Sequence, residues 1–223
     1  MHTTLNPTYI LVSLGLVLLV LQFVNAIPLL SRIHATRREP NSGVSILTEA
    51  VWGGASTGWL LYSIIVGNAM LAISSILGMS VSLLLVLMFV TRDFKKILVP
   101  LGAYLVTVTS LFVVQWMFGV IWLGVALAVF GVVQFAPQLI LSVKLLISGT
   151  YAHTASSMSA LIRFIYCLGW AVYATLPHFY DSLVDYPLLV WGVFGAVTYG
   201  AQFLTTMTAT SSSSASQSIT NDN

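Results

Sequence analysis

The sequence predicts an all-helical integral membrane protein: seven transmembrane helices in a 3+1+3 arrangement, with two parallel three-helix repeats joined by a linker helix. Three observations lead to this class: few charges, seven apolar segments of bilayer length, and a motif that occurs twice. Of the 223 residues, 58% are hydrophobic and only 6% are charged. A soluble domain carries about 25% charged residues, so most of this surface must face lipid.

The apolar segments set the helix positions, because a helix needs roughly 20 apolar residues to cross the hydrocarbon core. The predicted spans are residues 10–30, 46–65, 70–90, 97–114, 120–141, 156–176 and 187–207. No charge marks the boundary between the fourth and fifth spans, which we place at 115–119. The spans group into a first repeat (1–92), a linker helix (93–118), a second repeat (119–208) and a tail (209–223). The tail is rich in Ser and Thr, and this composition predicts disorder.

Basic residues predict the orientation of the chain. Seven of the eight fall on one side of the membrane: Arg32, Arg37, Arg38, Arg92, Lys95, Lys96 and Lys144. By the positive-inside rule that side is cytoplasmic, which places the N-terminus outside and the C-terminus inside, and we expect the plasma membrane. On the outer side, Asp181 and Asp185 of the sixth loop are expected to be solvated, with an outer gate as the alternative.

An internal repeat determines the architecture. Residues 43–62, GVSILTEAVWGGASTGWLLY, and 154–173, TASSMSALIRFIYCLGWAVY, share a Ser and the spacing Gly-Trp-x-x-Tyr at an offset of 111 residues. Each repeat covers three spans, and a single span lies between them. The extra span restores the direction of the second repeat, so the two repeats are parallel and related by an axis along the membrane normal.

A proline lies within the first helix of each repeat. Pro28 and Pro137, the latter followed by Gln138, each come three residues after an amide, Asn25 and Gln134. Proline in a helix frees a backbone carbonyl, and membrane helices tolerate this where neighbouring groups or water satisfy it. A bend at the same place in both halves predicts a pair of hinges, which alternating access requires; a static kink is the alternative.

The repeated aromatic residues are candidates for binding a solute. Trp59 and Trp170 lie at mid-depth, with Tyr62 and Tyr173 one turn further along the same helices. Indole rings offer a flat surface to the C–H faces of sugars and to cationic groups. Packing in the core or at the membrane interface is the alternative, since it is the usual place of Trp in membrane proteins.

Two ionisable residues lie inside predicted spans, Glu49 and Arg163. Charges inside a membrane are costly and usually face a partner or water, so we expect an ion pair across the two repeats. The alternative is that each side chain reaches the headgroups separately. No Cys/His cluster or paired catalytic residues occur, and the basic residues form no soluble patch. We therefore expect no metal, no cofactor, no enzymatic activity and no nucleic-acid partner.

These features resemble the PQ-loop superfamily and, within it, the SWEET sugar transporters. The resemblance rests on Pro28, the Pro137-Gln138 pair, the aligned Ser of each repeat and the two Trp-x-x-Tyr pairs, and it covers residues 9 to about 207. SWEETs usually place an Asn three residues before a Gly on the third helix, facing the sugar. Ser75, before Gly78, is the nearest equivalent here.

The resemblance implies a membrane transporter that moves a small polar solute, with sugar slightly favoured. An amino-acid or other small-metabolite transporter is the alternative, and a sorting receptor similar to the KDEL receptor is a third. The expected partners are the solute and the lipid bilayer, and assembly into a homo-oligomer is left open.

Overall fold

The structure is a computed structural model that describes residues 7–36, 46–90, 98–148, 157–176 and 184–220. Within these ranges the chain is almost entirely helical and contains no strand, which confirms the all-helical class. The helices are α1 (Pro7–Thr36), α2 (Ile46–Val66), α3 (Ala69–Val90), α4 (Leu98–Phe118), α5 (Val120–Ser148), α6 (Ser157–Thr175) and α7 (Tyr186–Thr220).

Four of these helices have the length and hydropathy to cross a membrane. They are Leu98–Phe118, Val120–Ser148, Ser157–Thr175 and Tyr186–Met207. Within the described part of the chain, α1, α2 and α3 contribute the shorter apolar segments Tyr9–Val24, Ala50–Val66 and Ala69–Leu84. These helices indicate a membrane protein.

The outer surface of the bundle is apolar. On α4, for example, Val106 and Trp116 are 66% and 87% exposed. Soluble monomers rarely expose continuous apolar patches larger than a few hundred Å². A surface of this kind is suited to contact with lipid chains.

Two short turns depend on glycine. Gly67 (φ 76°) ends α2, where its N–H and that of Asn68 bond to Ile64 O and Ser63 O at 3.3 and 2.8 Å. Gly119 (φ 84°) separates α4 from α5, and its N–H donates to Gln115 O at 3.0 Å. Glycine adopts this left-handed conformation at helix ends without steric cost. The boundary predicted at 115–119 is therefore confirmed.

The helices contact one another in two matching sets. In the first set α3 packs against both α1 and α2, and in the second α7 packs against both α5 and α6. Across the sets, α1 contacts α6 and α2 contacts α5. Exchanging α1–α3 with α5–α7 therefore leaves the pattern of contacts unchanged.

Helix α4 attaches mainly to α2 through small residues. A Cβ at Gly54 would lie 2.9 Å from Thr107 Cγ2, and a Cβ at Gly58 would lie 2.9 Å from Leu127 Cδ2 and close to Leu111 Cδ1. Glycines spaced by four residues on one helix face allow this close packing. Across the same interface the Thr57 and Tyr104 hydroxyls share a hydrogen bond of 3.0 Å. Helix α4 is thus anchored to the first set.

The closest backbone approach joins α6 and α7 at Gly192. A Cβ at this position would lie 2.7 Å from Ala171 N and 2.9 Å from Cys167 O. Both atoms belong to the α6 backbone, which cannot move aside as a flexible side chain can. The helix pair depends on a residue without a side chain here.

Gly192→Ala should therefore lower the melting temperature of the purified protein, because separating α6 and α7 costs about 1–3 kcal/mol. Gly102→Ala on α4 is the matched control, since a Cβ there meets nothing within 4 Å. The control should be neutral or slightly stabilising, as alanine favours a helix over glycine by about 1 kcal/mol. Equal melting temperatures for the two variants would contradict this packing.

The predicted disordered tail is wrong over residues 209–220, because α7 remains helical to Thr220. Neither Gly nor Pro occurs after Gly200, so no residue type stops the helix. Extending an existing helix needs no new nucleation, which is the costly step in forming one. Ser and Thr are weak helix formers but are not helix breakers.

Candidate solute cavity

A cavity lies between the two sets of helices. Including its open side, the space measures about 340 Å³. Helices α1, α2 and α3 contribute Gln22, Trp52, Ser56, Trp59, Leu71, Ser74 and Ser75. Helices α6 and α7 contribute Tyr166, Trp170, Leu188 and Trp191. None of these eleven side chains carries a charge, and their polar atoms are hydroxyl, amide and indole groups.

Three residues predicted to bind solute line this cavity. Trp59 and Trp170 are 6% and 1% exposed, and Ser75 is also buried. Ser75 Oγ donates to Leu71 O at 2.7 Å, which leaves its lone pairs rather than its proton for another group. The two tryptophans come from different sets and reach the same space. That they bind a solute remains a prediction.

A hydrogen-bonded group joins three helices on one part of the cavity wall. Gln22 Nε2 donates to Ser74 O at 2.9 Å, and Ser74 Oγ donates to Gln22 Oε1. The Ser74 and Tyr166 hydroxyls share a further hydrogen bond of 3.1 Å. We call Gln22, Ser74 and Tyr166 the polar group. An amide in the middle of the first apolar span was the available sequence signal for Gln22.

A second part of the wall is aromatic. Trp52 stacks on Trp191 with ring centroids 6.2 Å apart and planes at 22°. Trp59 meets Trp191 edge-on at the same centroid distance. Trp191 is 5% exposed, and its buried Nε1 has no hydrogen-bond partner among the described residues. We call Trp52, Trp59 and Trp191 the tryptophan group; it offers ring surface and one donor without a partner.

The residues that begin α3 and α7 lie beside one end of the cavity. Asn68 Oδ1 accepts from Leu71 N at 3.1 Å, and Asp185 Oδ1 accepts from Leu188 N at 3.1 Å. Asn and Asp are favoured at this position because their side chains satisfy free N–H groups of the first turn. Leu71 and Leu188 line the cavity, so these two caps lie close to it.

Two tyrosines connect these caps crosswise. Tyr62 of α2 donates to Asp185 Oδ1 at 3.0 Å, and Tyr173 of α6 donates to Asn68 Oδ1 at 3.2 Å. Each bond therefore joins a helix of one set to the cap of the other set. We call these two hydrogen bonds the crossed pair. Asp185 is 7% exposed, so the expectation that it is solvated is wrong; its partner is a tyrosine that faces away from water.

The two tyrosines do not line the cavity, although they were predicted with the tryptophans. Each packs edge-on against the Trp three residues earlier, with centroid distances of 5.6 Å for Trp59–Tyr62 and 5.1 Å for Trp170–Tyr173. Residues three apart on a helix are neighbours on its surface. The tyrosines thus link the cavity wall to the caps of α3 and α7.

The proline-containing helices are continuous. α1 runs through Pro28 and α5 runs through Pro137 without a break in helical structure. The side chains of Asn25, Pro28 and Pro137 lie outside the described residues, while Gln134 and Gln138 are half-buried on α5. The hinges therefore remain a prediction.

Arg163 meets an aromatic partner on α7. Its guanidinium carbon lies 5.4 Å from the centroid of the Tyr199 ring, which itself packs edge-on against Phe135 at 5.7 Å. A cation over an aromatic face is stabilised more when both are withdrawn from water. The Glu49 side chain lies outside the described residues, so its ion pair with Arg163 remains a prediction.

Comparison with known proteins gives no assignment. No protein-family model matches the chain, and no curated protein matches it. Within the described ranges, no three His, Cys, Asp or Glu side chains group as a metal site requires. The proposal for function therefore depends on the fold and the cavity.

Proposed function

We propose that this chain is a carrier that moves a small polar solute across a membrane by alternating access. In this proposal α1–α3 and α5–α7 are two parallel repeats, and α4 is the linker between them. The matching contacts of the two sets support this arrangement, because a pseudo-twofold relation produces matching contacts. Carriers of this kind hold their solute at the interface between repeats.

The crossed pair is the observation that carries the proposal. A cavity between two halves becomes a transport site only if its ends open in turn. Here one end is joined by two hydrogen bonds, Tyr62–Asp185 and Tyr173–Asn68, that both run between the halves. Breaking them would separate the halves at that end without disturbing the packing within either. With the predicted orientation, this end faces the outside and the N-terminus lies there too.

Within carriers, the PQ-loop superfamily and its SWEET members agree best with the repeat, the prolines and the Trp-x-x-Tyr pairs. Sugar is slightly favoured as the solute, because indole rings and neutral hydroxyl and amide groups surround the cavity. An amino acid or another small metabolite is the alternative. A sorting receptor similar to the KDEL receptor would need charged groups to hold a peptide carboxylate, and none of the cavity residues supplies one.

Uptake into proteoliposomes tests this proposal. Purified protein is reconstituted, and accumulation of labelled glucose, sucrose, glycine and glycerol is compared with that in protein-free liposomes. We expect uptake of at least one neutral solute that saturates with concentration and is reduced by an excess of the unlabelled solute. Binding of a solute without any uptake would favour a receptor and contradict the carrier.

Pro137→Ala should slow transport while leaving the protein folded, and Pro28→Ala should do so less strongly. The alanine restores a backbone donor and removes the bend that a hinge needs. Initial rates of uptake, compared with melting temperatures, separate a hinge from a structural role. If both variants transport at the wild-type rate, the prolines are static.

The predicted orientation can be tested with one cysteine. In a Ser212→Cys variant, an impermeant thiol reagent should label the protein only after the cells are permeabilised. The native Cys167 is buried at 2% exposure, so it should add little background. Labelling of intact cells would place the C-terminus outside.

A further inference from the structure

We propose that the cavity binds an uncharged solute in one orientation, with hydroxyl or amide groups at the polar group and an apolar face at the tryptophan group. Gly131 is then a positioning residue, because it seats Trp191. This inference rests on the proposed function for its role in transport. Its test is a binding measurement, so it can fail while the proposed transport function holds, and the reverse is also possible.

The two halves of the cavity differ at matching positions. Gln22 and Gly131 are related by the offset of 109 residues that also relates the two prolines. Ser74 and Trp191 are related by 117 residues, as are the caps Asn68 and Asp185. The first half therefore has a long polar side chain beside a small one, Gln22 and Ser74. The second half has a glycine beside a large aromatic ring at the matching positions, Gly131 and Trp191.

Contacts show that each pair depends on its own partner. In the first half Gln22 fills the space next to Ser74 and bonds to both its backbone and its hydroxyl. In the second half a Cβ at Gly131 would overlap Trp191 Cδ1 and lie 3.2 Å from Nε1. The indole can occupy its place only because residue 131 has no side chain. The exchange of size and polarity is therefore a joint property of four residues.

The exchange gives the cavity two chemically different parts. The polar group holds an amide and two hydroxyls already linked to one another, so a solute hydroxyl or amide can join an existing network. The tryptophan group presents ring surface, which favours C–H or aromatic faces. A solute with both features can satisfy both parts in only one orientation. A cavity with two identical halves would offer a solute two equivalent orientations.

The absence of charge among the lining side chains restricts the solute further. None of the eleven cavity residues can neutralise an ammonium or a carboxylate group. Burying an unpaired charge is far more costly than burying a hydrogen-bonded hydroxyl. We therefore expect neutral solutes to bind and zwitterionic amino acids to be rejected.

The test measures binding to the purified full chain in nanodiscs by calorimetry, with glucose, phenyl β-D-glucoside and glycine as probes. Phenyl glucoside should bind about tenfold more tightly than glucose, a factor that corresponds to about 1.4 kcal/mol. Glycine should not bind. Equal affinities for glucose and phenyl glucoside, no binding of either, or glycine binding as tightly as glucose would each overturn the inference.

Variants identify the residues responsible. In Gly131→Gln with Trp191→Ser, which repeats the pair of the first half, the preference for phenyl glucoside should disappear. Gln22→Leu should weaken the binding of glucose and of phenyl glucoside by a similar factor of about ten, since each loses the same polar partner. Gly102→Ala, which meets no neighbour, is the control and should bind as wild type. A retained preference in the double variant would overturn the role of Gly131 and Trp191.

Two outcomes separate this inference from the proposed function. If phenyl glucoside is preferred but no solute is taken up by proteoliposomes, the carrier fails and the inference of binding in one orientation stands. If uptake occurs but glucose and phenyl glucoside bind with equal affinity, the carrier stands and the inference of binding in one orientation fails. The affinities of the wild-type protein for glucose and phenyl glucoside test the inference even if the double variant does not fold.

Discussion

Trp59→Ala and Trp170→Ala should each abolish solute uptake, and both should lower the melting temperature, Trp170→Ala more strongly. Both rings line the cavity from different halves, so removing either takes away half of the paired surface. The expected loss is at least tenfold in initial rate, because the solute loses the apolar area of the indole ring as well as an aromatic contact worth about 0.5–1.5 kcal/mol beyond that area. Proteoliposome uptake and thermal melting of each variant measure the two effects.

Burial corrects one part of the sequence-based expectation. A tryptophan that only faces water could be removed with little loss of stability, but Trp170 is 1% exposed and packs against Tyr173 and Tyr166 at 5.1 and 6.3 Å. Replacing a buried aromatic residue with alanine costs about 3–5 kcal/mol. Trp59→Phe and Trp170→Phe retain a ring and therefore separate transport from folding.

The matched control is Trp116→Ala on α4. Trp116 is 87% exposed and lies outside the cavity, so its loss should leave uptake unchanged. The paired site would be contradicted if Trp59→Ala transported normally while Trp170→Ala simply unfolded. A similar loss in Trp116→Ala would show that uptake is sensitive to any missing tryptophan.

The second large effect is expected at the crossed pair. Tyr62→Phe with Tyr173→Phe keeps both rings but removes both hydrogen bonds of the crossed pair. A bond to a charged acceptor such as Asp185 contributes about 1.5–3 kcal/mol, and one to a neutral amide about 0.5–1.5 kcal/mol. The halves should therefore separate more often at this end, by a factor of ten or more.

A cysteine in place of Leu188, which lines the cavity near this end, reports the opening. Its labelling by an impermeant reagent added outside should become faster in the double tyrosine variant. Tyr104→Phe is the control, because it loses a hydroxyl hydrogen bond of 3.0 Å to Thr57 at the α2–α4 interface instead. Unchanged labelling in the double variant would mean that the crossed pair does not hold the end closed.

Patterns along the chain predicted those features that depend on local chemistry. Apolar length predicted the helices, and the glycine at 119 ends α4 although no charge marks that boundary. The repeated Trp-x-x-Tyr spacing led to Trp59 and Trp170, and the resemblance led to Ser75. All three line one cavity. Local periodicity and internal symmetry contain this information because each helix presents the same face at the same depth.

Other cavity residues depend on contacts between distant helices and were not predicted. Gln22 bonds to Ser74, 52 positions later, and Tyr62 bonds to Asp185, 123 positions later. Asp185 shows the difficulty most clearly. A carboxylate in an outer loop is usually solvated, but here the Tyr62 hydroxyl and the N–H of Leu188 donate to Asp185 and offset the cost of its burial. No spacing within the chain reveals such a pair.

A reversible cross-link tests alternating access most directly. Cysteines replace Tyr62 and Asp185, in a Cys167→Ser background, and a bis-methanethiosulfonate reagent joins them. The control pair, at Tyr62 and Asn68, lies within one half and should not restrain the halves. We expect the link between the halves to stop uptake and its reduction to restore it. In the control variant, uptake should be the same with and without the link. Full uptake with the halves cross-linked would contradict alternating access in this protein.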